Sequence, residues 1–385
     1  AAERLARAVG ITNDIGPDLN ASRFDPDRVV GGRANALQRA VAALDVPAGG
    51  SILQIDFPTG SGKTEAAIIR FLKAWMAGEV SGLYFALPTR VSAVQIFERI
   101  VKLLRDLLGD AAPAVVLAVP GYLRVDDAEG RHGRNWTAQW DSDPGARGWA
   151  TTHPARYMTA PIVVGTVDQT LMSVIAAKHA AMRASLLGRK MLVIDEVHAS
   201  DHYMSRLTLE LVRRHQAVGG HATLMSATCG GELSARLVGD AAPTYDRAVR
   251  RPYPCLVDTA DGRAPRITRI PWTTRRTVRI ETPAIMEYPA KMAERALDAA
   301  ARGARTLVIV NTVRRAVDVQ RALEALAAER GLEDLLFRVE GRACPHHSKF
   351  AAEDRRTLDR AAIAAFGKGR ATGGLVLVST QTVEQ

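Results

Sequence analysis

Phe57-Pro58-Thr59-Gly60-Ser61-Gly62-Lys63-Thr64-Glu65 has the residue types and spacing of a phosphate loop. Gly60 and Gly62 allow successive backbone N–H groups to converge on one concavity at a helix N-terminus, where the peptide dipoles favour an anion. Lys63 is then placed to reach the β- and γ-phosphates of a nucleoside triphosphate and the Thr64 hydroxyl to ligate Mg²⁺, with Thr59 and Ser61 completing the loop. The expected ligands are a nucleoside triphosphate and Mg²⁺. A glycine-rich turn without a ligand is the plain alternative, and the flanking elements argue against it. A second cluster, Met191-Leu192-Val193-Ile194-Asp195-Glu196-Val197-His198, delivers two carboxylates and an imidazole at the end of an apolar run, where open α/β sheets hold ligands. There Asp195 can hold Mg²⁺ through water, Glu196 can orient and deprotonate an attacking water, and His198 can sense the γ-phosphate. Ser226-Ala227-Thr228 follows the next apolar run and takes its weight from that position.

A phosphate loop needs a strand before it and a helix after it. Ser51–Phe57 predicts a short buried strand, and Ile68, Phe71, Leu72, Trp75 and Met76 recur at helical spacing until Gly78. Buried parallel strands are expected at Leu83–Leu87, Val115–Val119, Ile162–Thr166, Met191–Glu196 and Ala222–Ser226, building one α/β sheet. Past Thr282-Pro283 a second set begins, with strands at Thr306–Asn311, Leu336–Val339 and Leu375–Ser379 and an amphipathic helix over Val313–Glu329. A boundary near residue 285 follows, dividing the chain into an ATP-binding domain (1–285) and a second domain (286–385).

With 385 residues, 47% of them apolar, the chain can bury two cores. No run approaches the roughly 18 apolar residues of a membrane helix, and Ala1-Ala2-Glu3-Arg4 lacks a signal-peptide layout. Cys229, Cys255 and Cys344 form no Cys-x-x-Cys pair, which argues against a disulfide framework or zinc ribbon. A cytoplasmic protein without membrane association is expected. The net charge of +10 is compatible with nucleic acid, although only eight of the 51 basic residues are Lys, a bias that genome composition can also produce.

Taken in order, these segments resemble the motifs of superfamily 2 nucleic-acid helicases. The phosphate loop and the Asp195-Glu196-Val197-His198 box resemble motifs I and II, and Ser226-Ala227-Thr228 resembles motif III. Leu87-Pro88-Thr89-Arg90 is similar to motif Ia, Gly165-Thr166-Val167-Asp168-Gln169 to Ib, and Val310-Asn311-Thr312 to IV. Gln38, on a helix expected over Ala34–Leu44, resembles the adenine-reading glutamine, although a lone Gln there also fits a solvated helix face. Longer phrases resemble the helicase part of the type I CRISPR-associated helicase-nuclease, the effector that degrades DNA marked by the RNA-guided surveillance complex. They are Val164–Gln169, Lys178–Arg183, Ile194 to Met204 with Asp201-His202-Tyr203-Met204, and Val378 to Gln385. The resemblance implies two RecA-like parallel-sheet α/β domains in tandem, the second incomplete at its C-terminus, clasping ATP between them. It implies ATP-driven 3′→5′ translocation on single-stranded DNA, with Ser226 and Thr228 coupling hydrolysis to movement. Thr89, Arg90, Thr166, Asn311 and Thr312 would line a track that holds phosphates without reading bases.

Two departures stand out. None of the nine histidines is followed by Asp, so the family's metal-dependent nuclease module is not visible and is expected elsewhere in the full chain or on a separate one. Gln385 stops inside what resembles motif V, and the start lacks Met, so the chain reads as a fragment whose motif VI arginines lie beyond it. A non-CRISPR superfamily 2 repair or RNA helicase, and a nucleotide-gated docking module that recruits a separate nuclease, remain as rival readings. Between Tyr122 and Tyr157, Trp136, Trp140 and Trp149 lie amid Arg124, Arg131, Arg134, Arg147 and Arg156. Such a mixture can stack bases, but tryptophans at this spacing are more often core. Arg263–Arg279 reads as linking strands with a solvated face, and His346-His347 as polar loop residues rather than a metal site.

Overall fold

The computed structural model describes residues 25–109, 112–119, 122–125, 128–132, 138–140, 157–198, 202–260, 264–272, 277–367 and 373–380. The chain divides into two compact units, Ala1–Thr274 and Arg275–Gln385.

Among its described residues the first unit has eleven strands: β1 (Ser51–Asp56), β2 (Gly82–Leu87), β3 (Val115–Val119), β4 (Tyr122–Val125), β5 (Ala128–His132), β6 (Ala138–Trp140), β7 (Ile162–Thr166), β8 (Lys190–Ile194), β9 (His221–Ser226), β10 (Cys255–Ala260) and β11 (Arg266–Arg269). They lie in the order β11-β10-β1-β9-β8-β2-β7-β3-β4-β5-β6. The six central strands from β1 to β3 are parallel, and antiparallel strands extend both edges. Parallel strands covered by helices on both faces read as unbroken apolar runs, and the six central strands are the six expected. Strand alternation sorts their side chains. Leu53, Ile55, Phe85, Leu87, Leu117 and Val164 pack with the helices Ala36–Ala43, Lys63–Met76 and Arg90–Leu108. Ile52, Tyr84, Val116, Val163, Leu192 and Leu224 face the opposite core, with the helices Ala180–Gly188, His202–Ala217 and Gly231–Leu237.

The pattern departs from expectation at the edges. β8 ends at Ile194, two residues short, because Glu196 turns out of the sheet with φ 48°. β10 and β11 carry no apolar run of the central kind; Asp258, Arg266 and Arg269 interrupt them, as suits strands near a sheet edge. β4, β5 and β6 fall in the segment after Tyr122, whereas Trp136, Trp149, Arg134, Arg147 and Arg156 lie outside the described residues.

In the second unit β12 (Arg305–Val310), β13 (Arg338–Val339), β14 (Arg342–Ala343) and β15 (Leu375–Thr380) form two small sheets. β12 and β15 are parallel. Val310, Val376 and Val378 pack against the helices Pro289–Ala301 and Val313–Arg330, while Leu377 meets Phe337, Leu358 and Ala362 on the other side. The strand expected over Leu336–Val339 is divided. Leu336 makes a single parallel bridge to Val376, and β13 then folds back on β14 through Glu340 and Gly341, both at positive φ, the geometry of a tight hairpin. Among the described residues no helix is long and apolar enough to cross a membrane.

Candidate nucleotide site

β1 leads into the loop Phe57–Gly62, and the helix Lys63–Met76 follows. Gly60 (φ 73°) and Gly62 (φ 83°) occupy left-handed backbone that side chains resist. Gly62 caps the helix without any side-chain bond, so the first-turn N–H groups point into the loop. The buried Lys63 folds over it, Nζ donating to the carbonyls of Phe57 (2.9 Å) and Pro58 (3.5 Å). The Ser61 Oγ is buried and has no hydrogen-bond partner, an orphaned donor on the wall of the cradle.

The helix Ala36–Ala43 braces this loop from below. Asn35 and Gln38 cap it reciprocally, Asn35 Oδ1 accepting the Gln38 N–H (3.0 Å) and Gln38 Oε1 the Asn35 N–H (2.8 Å). Their amide nitrogens hold the loop, Asn35 Nδ2 donating to the Ser61 carbonyl (2.8 Å) and Gln38 Nε2 to that of Gly62 (3.4 Å). A Cβ on Gly62 would collide with the Gln38 amide. Gln38 is therefore buried rather than solvated. Asn35, which the sequence reading passed over, shares its position at the loop; the Asn-x-x-Gln spacing of a capping box is the signal that could have found it.

The end of β8 is tied to both neighbours: the Asp195 N–H donates to Ala86 (2.9 Å) and the Val197 N–H to Met225 (3.0 Å). Asp195 Oδ1 accepts the Glu196 N–H (2.9 Å). Burial, then the neighbouring Glu196 charge, push the Asp195 carboxyl up to about 6, against the pull of the Glu196 N–H and Lys63. His198 Nδ1 lies 3.3 Å from Glu196 Oε2 and 2.9 Å from Ser226 Oγ, and that hydroxyl accepts the Thr228 N–H (3.0 Å). Among the described residues no group of three or more His, Cys, Asp or Glu could cage a metal. A hydroxyl at Thr64 and a partly desolvated carboxylate at Asp195 instead suit Mg²⁺, which keeps several waters and takes further oxygens from substrate phosphates.

The sheet thus gathers Thr59, Gly60, Ser61, Gly62, Lys63, Thr64, Asp195, Glu196, His198, Ser226 and Thr228 at the C-terminal ends of β1, β8 and β9. Farther along the same edge, Leu87 of β2 is in register with Thr166 of β7. Thr89 caps the helix Arg90–Leu108 through the Ser92 N–H (3.4 Å), Arg90 is exposed, and the buried Thr166 accepts the Tyr84 hydroxyl on its carbonyl (3.5 Å). Asn311 and Thr312 belong to the second unit, exposed after β12, with Thr312 capping the Val313–Arg330 helix through the Arg315 N–H (3.2 Å). Gln169 and Arg183, from two separate phrases of the sequence, meet at 3.2 Å in the interior. His346 and His347 are buried, contrary to the polar-loop expectation. Packing against β15 encloses them: His346 Nε2 lies 2.6 Å from Asp359 and Nδ1 3.2 Å from Ser379 Oγ, and His347 stacks on Phe350.

A model of the DEAD/DEAH box helicases matches residues 35–235. The chain belongs to this helicase family. Residues 302–385 match a model of the C-terminal part of the CRISPR-associated nuclease/helicase Cas3. The CRISPR-associated endonuclease/helicase Cas3 of Thermus thermophilus is 31% identical over 92% of this chain and 42% of its own length. The crystal structure of T. fusca Cas3-ATP is 25% identical with a TM-score of 0.72, covering 100% of this chain and 44% of that one. A chain of a CRISPR RNA-guided surveillance complex, pre-nicking, is 26% identical with a TM-score of 0.61, over 94% of this chain and 40% of that one. The DEAD/DEAH chain therefore spans less than half the length of the Cas3 proteins it matches. Its sequence and fold are similar to that part of the Cas3 proteins, with the tandem RecA-like α/β architecture that the resemblance implied.

Proposed function

We propose that this segment is the ATP-driven motor of a type I CRISPR helicase-nuclease, translocating 3′→5′ on single-stranded DNA. The observation that carries the reading is the run of contacts from Glu196 Oε2 to His198 Nδ1 (3.3 Å), and by hydrogen bonds from His198 to Ser226 and on to the Thr228 backbone, which joins Glu196 to a loop outside the nucleotide cradle. In this reading the Gly60–Thr64 N–H groups and Lys63 hold the β- and γ-phosphates, and Gln38 reads the adenine. Thr64 and Asp195 hold Mg²⁺, which when bound neutralises charge on the transferring phosphoryl oxygens. Glu196 takes the proton of the attacking water. His198, Ser226 and Thr228 relay the nucleotide state to the strand-holding residues Thr89, Arg90 and Thr166, with Asn311 and Thr312 contributing from the second unit. The surveillance complex is the proposed partner, because a chain of one such complex is similar to this one; a nuclease module elsewhere in the full chain or on a separate one, and a cytoplasmic site of action, complete the proposal.

Strand displacement by the full-length protein on partial duplexes with a 3′ or a 5′ single-stranded tail tests it. Displacement requiring ATP and the 3′ tail is expected. Lys63→Ala abolishes hydrolysis while single-strand affinity stays within a few-fold, because only the charge on the β- and γ-phosphates is removed. Nucleotide-dependent binding without displacement would make the segment a docking module, and stronger stimulation by RNA than by DNA would place it with other superfamily 2 helicases.

A further inference from the structure

The loop Ser226-Ala227-Thr228-Cys229 is held from two sides. One side is the His198 contact with Ser226. The other is a set of contacts from the segment before β10, which no spacing in the sequence relates to the loop. The Tyr253 hydroxyl donates to the Ala227 carbonyl at 2.9 Å. Arg251 Nη1 donates to the Cys229 carbonyl at 3.3 Å, and its Nη2 lies 3.4 Å from Asp56 Oδ2. The other oxygen of Asp56 accepts the Cys229 N–H at 3.3 Å. Asp56 is the last residue of β1, the strand that launches the phosphate loop. Arg251 and Asp56 together therefore grip both backbone groups of Cys229, and Tyr253 grips the loop two residues earlier. The fork of the guanidinium matters, since one planar group must reach a carbonyl and a carboxylate at once.

We propose that Arg251 and Tyr253 are positioning residues that fix the Ser226–Cys229 loop so that movement of His198 is passed on rather than absorbed. They touch neither nucleotide nor nucleic acid in this role. The inference rests on the proposed coupling function of Ser226 and Thr228. A loop pinned on the far side responds to His198 as a rigid body, whereas a loop freed there relaxes locally and the signal is lost. Hydrolysis then continues without productive movement.

The test measures base pairs displaced per ATP hydrolysed, together with KM for ATP, in the full-length protein carrying Tyr253→Phe, Arg251→Lys, or Ser226→Ala with Thr228→Ala. Tyr253→Phe removes one hydroxyl from a ring that is half exposed, so folding is preserved; equal thermal midpoints verify this. Arg251→Lys keeps the charge beside Asp56 but loses the fork. The expected result is a KM within twofold and a fall in base pairs per ATP of about three- to tenfold for Tyr253→Phe, the weight of one hydrogen bond. A coupling ratio unchanged in Tyr253→Phe and Arg251→Lys, while the Ser226/Thr228 variant uncouples, overturns the proposal and leaves the coupling function standing. An unchanged ratio in all three variants overturns both. A rise in KM for ATP that accounts for the whole loss would show that the two residues shape the nucleotide cradle instead, and also overturns it.

Discussion

Glu196 sits at φ 48°, in a backbone region that a long side chain seldom occupies. The strand ends before it, Asp195 takes its N–H, and the next N–H returns to Met225, so the surroundings over-determine the turn. Such local strain sets a side chain where a regular strand would not carry it. Asp195 and Glu196 consequently point to different places despite being adjacent: one carboxyl is drawn into the sheet end, the other reaches His198. Glu196→Gln should therefore retain ATP-Mg²⁺ binding while hydrolysis slows by about 10² or more, since an amide keeps the shape but accepts no proton. Nucleotide titration and single-turnover hydrolysis separate the two effects. If binding is lost with hydrolysis, Glu196 serves the fold and not the reaction.

At the scale of elements, the helix His202–Ala217 is fastened to β9 by a buried histidine. His215 Nε2 donates to the His221 carbonyl at 3.2 Å, and its ring leaves room only for glycine at position 220. Burial lowers His215 to about 4, against the pull of the His221 and Lys190 backbone groups. Burial and then Arg70 lower His221 to about 4 as well, although Glu79 lies 3.8 Å from its Nε2 and Ser51 2.9 Å from its Nδ1. Both rings are neutral in the folded chain at neutral pH. A histidine depressed on folding binds protons more readily when unfolded, so its stabilisation is complete above about pH 6.5 and is lost as pH falls towards 4. For His215 the loss amounts to about 3 kcal/mol at most. Urea unfolding of the first unit should show a falling midpoint between pH 7 and pH 4.5, with a shallower fall in His215→Gln. A midpoint independent of pH in the wild type would contradict two neutral buried rings.

For the molecule as a whole, the net charge of +10 bears on association rather than on fold. If the proposed track neutralises Z phosphates of a single strand, log K should fall against log[salt] with a slope of about −0.7Z. Affinity should also be nearly independent of base sequence, because phosphate contacts carry no sequence information. Titrations of the full-length protein with unrelated oligonucleotides across a salt series check both points. A flat salt response, or strong preference for one sequence, would remove the track from the proposal.

What was legible in the sequence is what depends on residue type and short spacing. A phosphate loop needs glycine at positive φ and a lysine beside it, and Gly60, Gly62 and Lys63 occupy those places. Strands buried on both faces must be apolar throughout, so β1, β2, β3, β7, β8 and β9 announce themselves. Edge strands need no such run, which is why β10 and β11 carry no comparable signal. Contacts between distant segments are still less visible. Asp56, Asp195 and Ser226 are far apart along the chain, and only the order β1-β9-β8 sets them side by side. Arg251 reaches Asp56 and Cys229 because β10 returns antiparallel along β1 and brings Cys255 opposite Asp56. The chemistry of each group is written locally, but the partner of each is decided by sheet order, which no local pattern encodes.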